Sequence, residues 1–371
     1  MAEGPGMSGR KNKRGYSSKK RNQYRGNQDN YSGNFKRHRN EDAASDSFSR
    51  NKVQKKPFVK VQKPKSGRKY TISIAVPASI LDETSIKDEL RTYVVGQLAR
   101  AAVIYSVDEV IVYDDGCCPK KDSGQENTNE GSLEKMKMLL EYQELPQYLR
   151  RYFFGFDKHL RFVGLLNPLN APHHFKSNEW CEYREGVVLK RCKDDLPFVD
   201  VGLGQNILIT KKVDPGLRVT VKLPHNPPED FDKDCSKIHG RVVAPGEPRL
   251  EKGYYWGYSV RVANSLSEVV TGCTYPGGYD LIIGTSDKGV DAKKAEYSEF
   301  SRALIVFGGV EGLEASIAAD SQLRGSEPSD LFHFYINTCS HQQVRTIRTE
   351  EAVLISLCVL HDKLSEKGIN R

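Results

Sequence analysis

The amino-acid sequence predicts an α/β domain built on a parallel sheet, with a small β-barrel inserted and a basic, disordered N-terminal tail. Three observations carry this expectation. Short apolar runs at 280–283, 303–307 and 332–336 each end in a loop of Gly, Ser, Thr or Asn. Runs so short and so rich in Ile, Val, Leu, Phe and Tyr are strands, and the near-continuous apolarity of the first two suggests a parallel sheet covered on both faces. From 183 to 262 the pattern shifts to closely spaced β runs without a helix, which suggests a barrel. In residues 1–69 apolar side chains are scarce, so burial there cannot offset the entropy of ordering.

A chain of 371 residues accommodates two domains and a tail. Residues 1–69 carry 20 Lys and Arg against 5 Asp and Glu, a surplus of +15. The whole chain is +8, which leaves −7 for the remainder. Clusters such as Lys19-Lys20-Arg21 and Lys36-Arg37-His38-Arg39 suit an RNA tether or a nuclear import signal, alongside the plain reading of a solubilising tail. A nuclear, nucleolar address is expected, with the cytoplasm or mitotic spindle and kinetochore as the alternative. No apolar run reaches membrane-spanning length, and the N-terminus lacks the apolar core of a signal peptide, so no membrane partner is expected. The eight cysteines form no CxxC and no spacing with paired histidines, so no metal site is expected and free thiols are.

In chain order, 70–76 alternates as a strand, and 88–105 carries a helical stripe of Leu90, Val94, Leu98, Ala101 and Tyr105. The strand 107–113 completes a parallel βαβ unit and ends at Asp114 and Asp115, which read as a solvated turn. A polar, mobile loop is expected over 116–131 and a helix over 133–145, continued by the segment holding Arg150 and Arg151. Those two arginines are candidates for RNA phosphates, or simply a charged helix face. His173 and His174 are adjacent on an extended segment, so their side chains diverge and do not make a joint metal site. Candidate barrel strands are 185–190, 198–203, 206–210, 218–222, 238–243 and 254–262. The last contains Tyr254, Tyr255, Trp256 and Tyr258, flanked by Arg261. Tyr255, Trp256 and Arg261 are candidates for stacking and pairing with single-stranded RNA, while alternation sends about half of such a cluster into the core.

The loops 284–289, 308–312 and 337–348 follow the three C-terminal strands, where open α/β sheets bind ligands. Gly308 and Gly309 let backbone approach closely, and Thr285, Ser286, Asn337 and Thr338 add small polar groups. No GxxxxGK[ST] or GxGxxG is present, which favours an adenosine without a polyphosphate. A helix begins at Thr349, which can cap it, with Glu350 and Glu351 in its first turn and Val353, Leu357, Leu360 and Leu364 as its stripe.

The blocks IGTSDKG, VFGGVEGLEA and NTC…RTIRTEEA, with RKYTISIAVPASILD, ELRTYVVGQLARAA, PQYLRRYFF, GLLNPLNAPHH and YWGYSVRVA, resemble the SPOUT-class RNA methyltransferases from about Arg68 onward. The resemblance implies a trefoil-knotted α/β domain over 70–180 and 264–371, an OB-like insertion over 181–263, and a homodimer. It implies S-adenosyl-L-methionine as cofactor, held by Thr285, Lys288, Gly289, Gly308, Gly309, Asn337, Thr338, Ile347 and Arg348. RNA, notably ribosomal RNA, is the implied substrate, with uridine N3 as an acceptor. Lys288 is the candidate catalytic cation; relatives commonly carry Arg there, and Lys lacks its planar fork. Glu311 and Glu314 are candidate orienting carboxylates, or exposed acids at a helix start. The alternative is a non-catalytic RNA-binding or assembly factor at ribosomes or the mitotic spindle.

Overall fold

The structure, a computed structural model, describes residues 59–60, 67–82, 86–117, 128–228 and 238–369. Its elements begin with β1 (Val59–Lys60), β2 (Thr71–Pro77), α1 (Asp88–Ile104), β3 (Glu109–Tyr113), α2 (Thr128–Glu144) and α3 (Gln147–Phe153). The middle of the chain holds β4 (Glu179–Trp180), β5 (Tyr183–Lys193), β6 (Leu196–Asp200), β7 (Ile207–Ile209), β8 (Arg218–Lys222) and β9 (His239–Val243). It continues through α4 (Glu247–Lys252), β10 (Ser259–Ala263), α5 (Leu266–Thr271), β11 (Leu281–Asp291) and β12 (Arg302–Val306). The last elements are α6 (Gly312–Ala319), α7 (Pro328–Leu331), β13 (Phe334–Asn337) and α8 (Thr349–Lys367).

Six strands form one parallel sheet in the order β10-β3-β2-β12-β11-β13. Alternation along each strand divides the core in two. Ile72, Ile74, Val110, Val112, Leu281, Ile283 and Ile305 pack under α1, α2 and α8, through Val94, Leu98, Met136, Leu139, Val353 and Leu357. Ala75, Ile111, Ile282, Leu304 and Val306 pack with Leu266, Val269, Leu313 and Ile317 of α5 and α6. Both faces are covered, which is why these strands are apolar almost throughout. The α8 stripe of Val353, Leu357, Leu360 and Leu364 is buried as expected. On α1, Leu90 departs from its stripe and stands 55% exposed. The polar positions of β2 do not face water either: Ser73 Oγ donates to Glu109 Oε2 at 2.8 Å in the interior.

Strands β5, β6, β7, β9 and β8 close into a barrel around Val188, Val199, Ile207, Ile209 and Val221. Five strands is the size of an OB barrel. The expected sixth strand is a correction. Its C-terminal half is β10, which lies in the parallel sheet beside β3, with Ser259 opposite Glu109. The aromatic run before it is packed between barrel and sheet. Tail residues Lys19–Arg21 and Lys36–Arg39 lie outside the described residues, as do 118–127 of the expected mobile loop. The end of the expected tail belongs to the fold. Val59 and Lys60 pair in parallel with β4, and Arg68 Nη2 meets Asp108 Oδ1 at 2.7 Å. Among the described residues, no helix is long and apolar enough to cross a membrane, and no group of three His, Cys, Asp or Glu side chains is placed to hold a metal.

Candidate active site

A loop-out within β11 and the loops after β12 and β13 converge with the first turns of α8 around an open cleft of about 280 Å³. Seven of the nine residues expected to hold cofactor line it: Thr285, Lys288, Gly308, Gly309, Asn337, Thr338 and Ile347. Hydrogen bonds between loops fix their positions. Thr285 Oγ1 donates to the Val306 carbonyl at 3.0 Å, and Asn337 Nδ2 donates to the Asp287 carbonyl at 2.8 Å. Thr349 does not cap its helix. It is the first helical residue, and its hydroxyl donates to the Gly308 carbonyl at 3.0 Å, tying α8 to the loop after β12. Thr338 and Ser356 share a hydroxyl contact of 2.8 Å. Side chains therefore brace the cleft, and backbone groups of the three loops are left to face a ligand.

Gly289 and Arg348 do not line the cleft. A Cβ on Gly289 would sit 2.4 Å from the Ile336 carbonyl carbon. The glycine lets β11 close back onto β13 after residues 286–289 loop out, since Thr285 and Val290 both pair with Ile336. Arg348 precedes α8: its N–H donates to Glu351 Oε2 and its Nε to Glu350 Oε1. Gly309 lines the cleft, but its close approach is to the protein. A Cβ there would meet Asp115 Oδ2 at 2.8 Å and Ser79 Oγ at 2.9 Å. Asp115, expected in a solvated turn, is 3% exposed; burial raises its pKa, and Ser79 Oγ donates to it at 2.5 Å. The 194-residue separation between Asp115 and Gly309 leaves no local signal of this contact.

Lys288 stands at the mouth with 69% of its side chain exposed, and its Nζ is 3.0 Å from Glu314 Oε1. Burial raises the Glu314 pKa, but its own backbone N–H and Lys288 outweigh that and hold it below the ordinary range. Glu314 thus pairs with Lys288 at the cleft, whereas Glu311 lines it from an exposed position. The charged lining consists of Asp287, Glu311 and Glu314 against Lys288 and Arg345. A majority of carboxylates suits a ligand that brings positive charge, such as a sulfonium and an ammonium, and disfavours a polyphosphate. With Ile347 as an apolar wall, these residues fit S-adenosylmethionine.

The residues expected to contact RNA are placed very differently. Trp256 is 9% exposed, packs with Phe175, Tyr183 and Tyr254, and donates from Nε1 to Glu185 Oε1 at 2.6 Å. It is a core residue. The Tyr255 hydroxyl donates to the Val107 carbonyl at 2.8 Å, anchoring the segment to the sheet. Arg261 is held by Glu109, the Val269 carbonyl and Tyr279. Arg150 is half-buried, with its guanidinium 4.3 Å from the Tyr142 ring centroid. Arg151 is exposed and pairs with Asp200 at 2.9 Å.

The cleft lies at the carboxyl ends of a parallel sheet, where open α/β folds bind their ligands. Residues 71–360 match the family described as "Putative RNA methyltransferase", and the chain belongs to this family. It is 45% identical over 313 residues to a human protein named 28S rRNA (uridine-N(3))-methyltransferase, covering 83% of this chain and 82% of that one. The mouse protein of the same name is 45% identical over 313 residues, covering 83% and 80%. A Drosophila melanogaster protein of that name is 44% identical over 308 residues, covering 79% and 62%. The chain is an RNA methyltransferase.

Proposed function

We propose that this protein uses S-adenosylmethionine to methylate a uridine at N3 in large-subunit ribosomal RNA. The observation that carries the reading is the 45% identity over most of the chain to proteins named for that reaction, joined to a cleft whose lining suits a cationic, phosphate-free cofactor. The cofactor supplies a methyl group on a positively charged sulfur. As the N3–CH3 bond forms, the S–CH3 bond breaks and S-adenosylhomocysteine leaves as a neutral thioether; the N3 proton passes to solvent, so negative charge develops on the base carbonyls before the methyl arrives. In this reading Lys288 stabilises that charge, and its exposure and its pairing with Glu314 at 3.0 Å support the assignment. The loops braced by Thr285, Asn337 and Thr349 hold the reacting centres in line.

The same reading includes a trefoil knot, supported by β11 lying between β12 and β13 although it precedes both in sequence. It includes a homodimer, consistent with Leu90, Tyr93, Ile104 and Leu354 being exposed on α1 and α8. It also includes a nuclear, nucleolar address, for which the basic clusters of the tail are the support. Incubating the full chain with S-adenosylmethionine and unmodified ribosomal RNA, then digesting to nucleosides for mass spectrometry, should yield 3-methyluridine. A methyl on another atom would overturn the assigned acceptor. Failure to bind the cofactor by calorimetry would overturn the cleft assignment. Mass photometry tests the dimer, and imaging of the tagged chain tests the address.

A further inference from the structure

A second cavity, of about 700 Å³, opens between the end of α2, α3, the loop over 163–170 and the start of the barrel. Tyr148, Arg150, Gln143, Asn167, Asn170 and Lys176 are in its wall. Among the described residues no Asp or Glu lines it, although residues beyond the tail carry −7 overall and the cofactor cleft holds three carboxylates. The Arg150 guanidinium lies over Tyr142 and is held by the carbonyls of Leu145 and Gln143, which orients its plane and leaves donors over. Gln143 is 2% exposed. Its Nε2 donates to the Asn167 carbonyl at 3.3 Å, but its Oε1 is buried and has no hydrogen-bond partner among the described residues. Buried amide oxygens are ordinarily paired, so a donor is called for at this wall.

We propose that this cavity seats an unpaired nucleotide of the RNA substrate other than the one methylated. The volume suits a nucleotide. Aromatic rings and arginine planes are the surfaces on which splayed-out bases stack, and amide side chains read their hydrogen-bonding edges. Tyr148 and Arg150 supply the first, Gln143, Asn167 and Asn170 the second, and the exposed Lys176 a phosphate contact. The cavity also lies on a path to the cleft. Asn167 borders a groove that ends at Glu350 and Glu351, and the preceding residue, Thr349, lines the cofactor cleft. An RNA strand held here would present a neighbouring nucleotide to Lys288 in a fixed register. This inference rests on the RNA methyltransferase reading.

The test uses the full chain, with cofactor binding measured in parallel, and a single-stranded oligonucleotide carrying 4-thiouridine. Photocrosslinks should map to the peptides that hold Tyr148 or Asn167. The double variant Asn167→Ala, Lys176→Ala changes two exposed side chains. At raised salt, where the tail contributes less, it should lose roughly 10-fold or more in oligonucleotide affinity. Its melting temperature and cofactor affinity should stay at wild-type values. Crosslinks confined to other peptides, or an unchanged affinity in the variant, would overturn the proposal. So would uridine 5′-monophosphate binding in the cavity as tightly as the oligonucleotide, which would mark a free-nucleotide site. If the wild type binds oligonucleotide here but no S-adenosylmethionine, the cofactor reading fails and this one stands.

Discussion

Lys288 and Trp256 show how differently two residues from one chain can be tested. Lys288 is exposed, pairs only with Glu314 among the described ion pairs, and belongs to no core cluster. Lys288→Ala should leave the melting temperature and cofactor affinity near wild type and lower the single-turnover methylation rate by about 100-fold, the size typical of removing one stabiliser of developing charge. Lys288→Arg should restore most of that rate. Trp256 is the reverse case. Its ring fills the space between Phe175, Tyr183 and Tyr254, and its N–H satisfies Glu185. Trp256→Ala should cost about 3–5 kcal/mol of stability, read by denaturant unfolding, with RNA affinity unchanged in the fraction that remains folded.

At the scale of elements, the join between α2 and the barrel is an ionic clamp. Arg218 of β8 meets Glu144 Oε2 and Glu185 Oε2, each at 2.6 Å, and His173 Nε2 lies 3.0 Å from Glu144 Oε1. Gly257, at φ +85°, lets the chain pass this cluster, since a Cβ there would fall 2.4 Å from Glu144 Oε1. Burial raises the Glu144 pKa, but Arg218 and then His173 outweigh it and bring it down to about 2. Burial, and then the charge of His173, push His174 down to about 4. Unfolded, the two groups titrate near 4.5 and 6.5. The unfolded chain therefore binds more protons than the folded one below 6.5, and both contributions are complete above that pH. Urea midpoints should fall first between pH 6.5 and 4 as unfolded His174 protonates, then between 4.5 and 2 as Glu144 does. Arg218→Met removes the guanidinium from two buried carboxylates, leaving Glu144 with His173 and Glu185 with the Trp256 and Thr220 donors, and should cost about 3–5 kcal/mol at pH 7. That loss should shrink toward pH 4, because Glu144 without Arg218 accepts a proton more readily.

At the scale of the whole molecule, the surplus of positive charge lies in the N-terminal part of the sequence. Residues 1–54 hold 13 Lys and Arg against 5 Asp and Glu and stop short of Val59, which pairs with β4. Deleting them should preserve the melting temperature. It should also weaken binding to all RNAs alike and flatten the dependence of log affinity on log salt, because fewer counterions are released. Salt titrations of the full and shortened chains check this. An unchanged slope would remove the tail from RNA binding. A cut at residue 69 would be a poorer test, because Arg68 pairs with Asp108 and its carbonyl accepts from Arg249 Nη1 at 2.6 Å.

The sequence by itself determined the parallel sheet, the α8 stripe and the three loops of the cleft, because these rest on periodicity and on loop chemistry read within a few residues. It also placed five barrel strands to within a few residues, since alternation and turn residues are local signals too. Only the tertiary structure decided that the segment after Trp256 joins the sheet beside β3, because a strand reads the same whichever neighbour it pairs with. Arg261 likewise looks available for phosphate until Glu109 and Tyr279, 152 and 18 residues away, are folded onto it. Gly309 reads as room for a ligand until Ser79 and Asp115 arrive beneath it. Partners so far apart in the chain leave no mark on the residues between them, so which polar groups stay open to a ligand is settled only when the sheet closes.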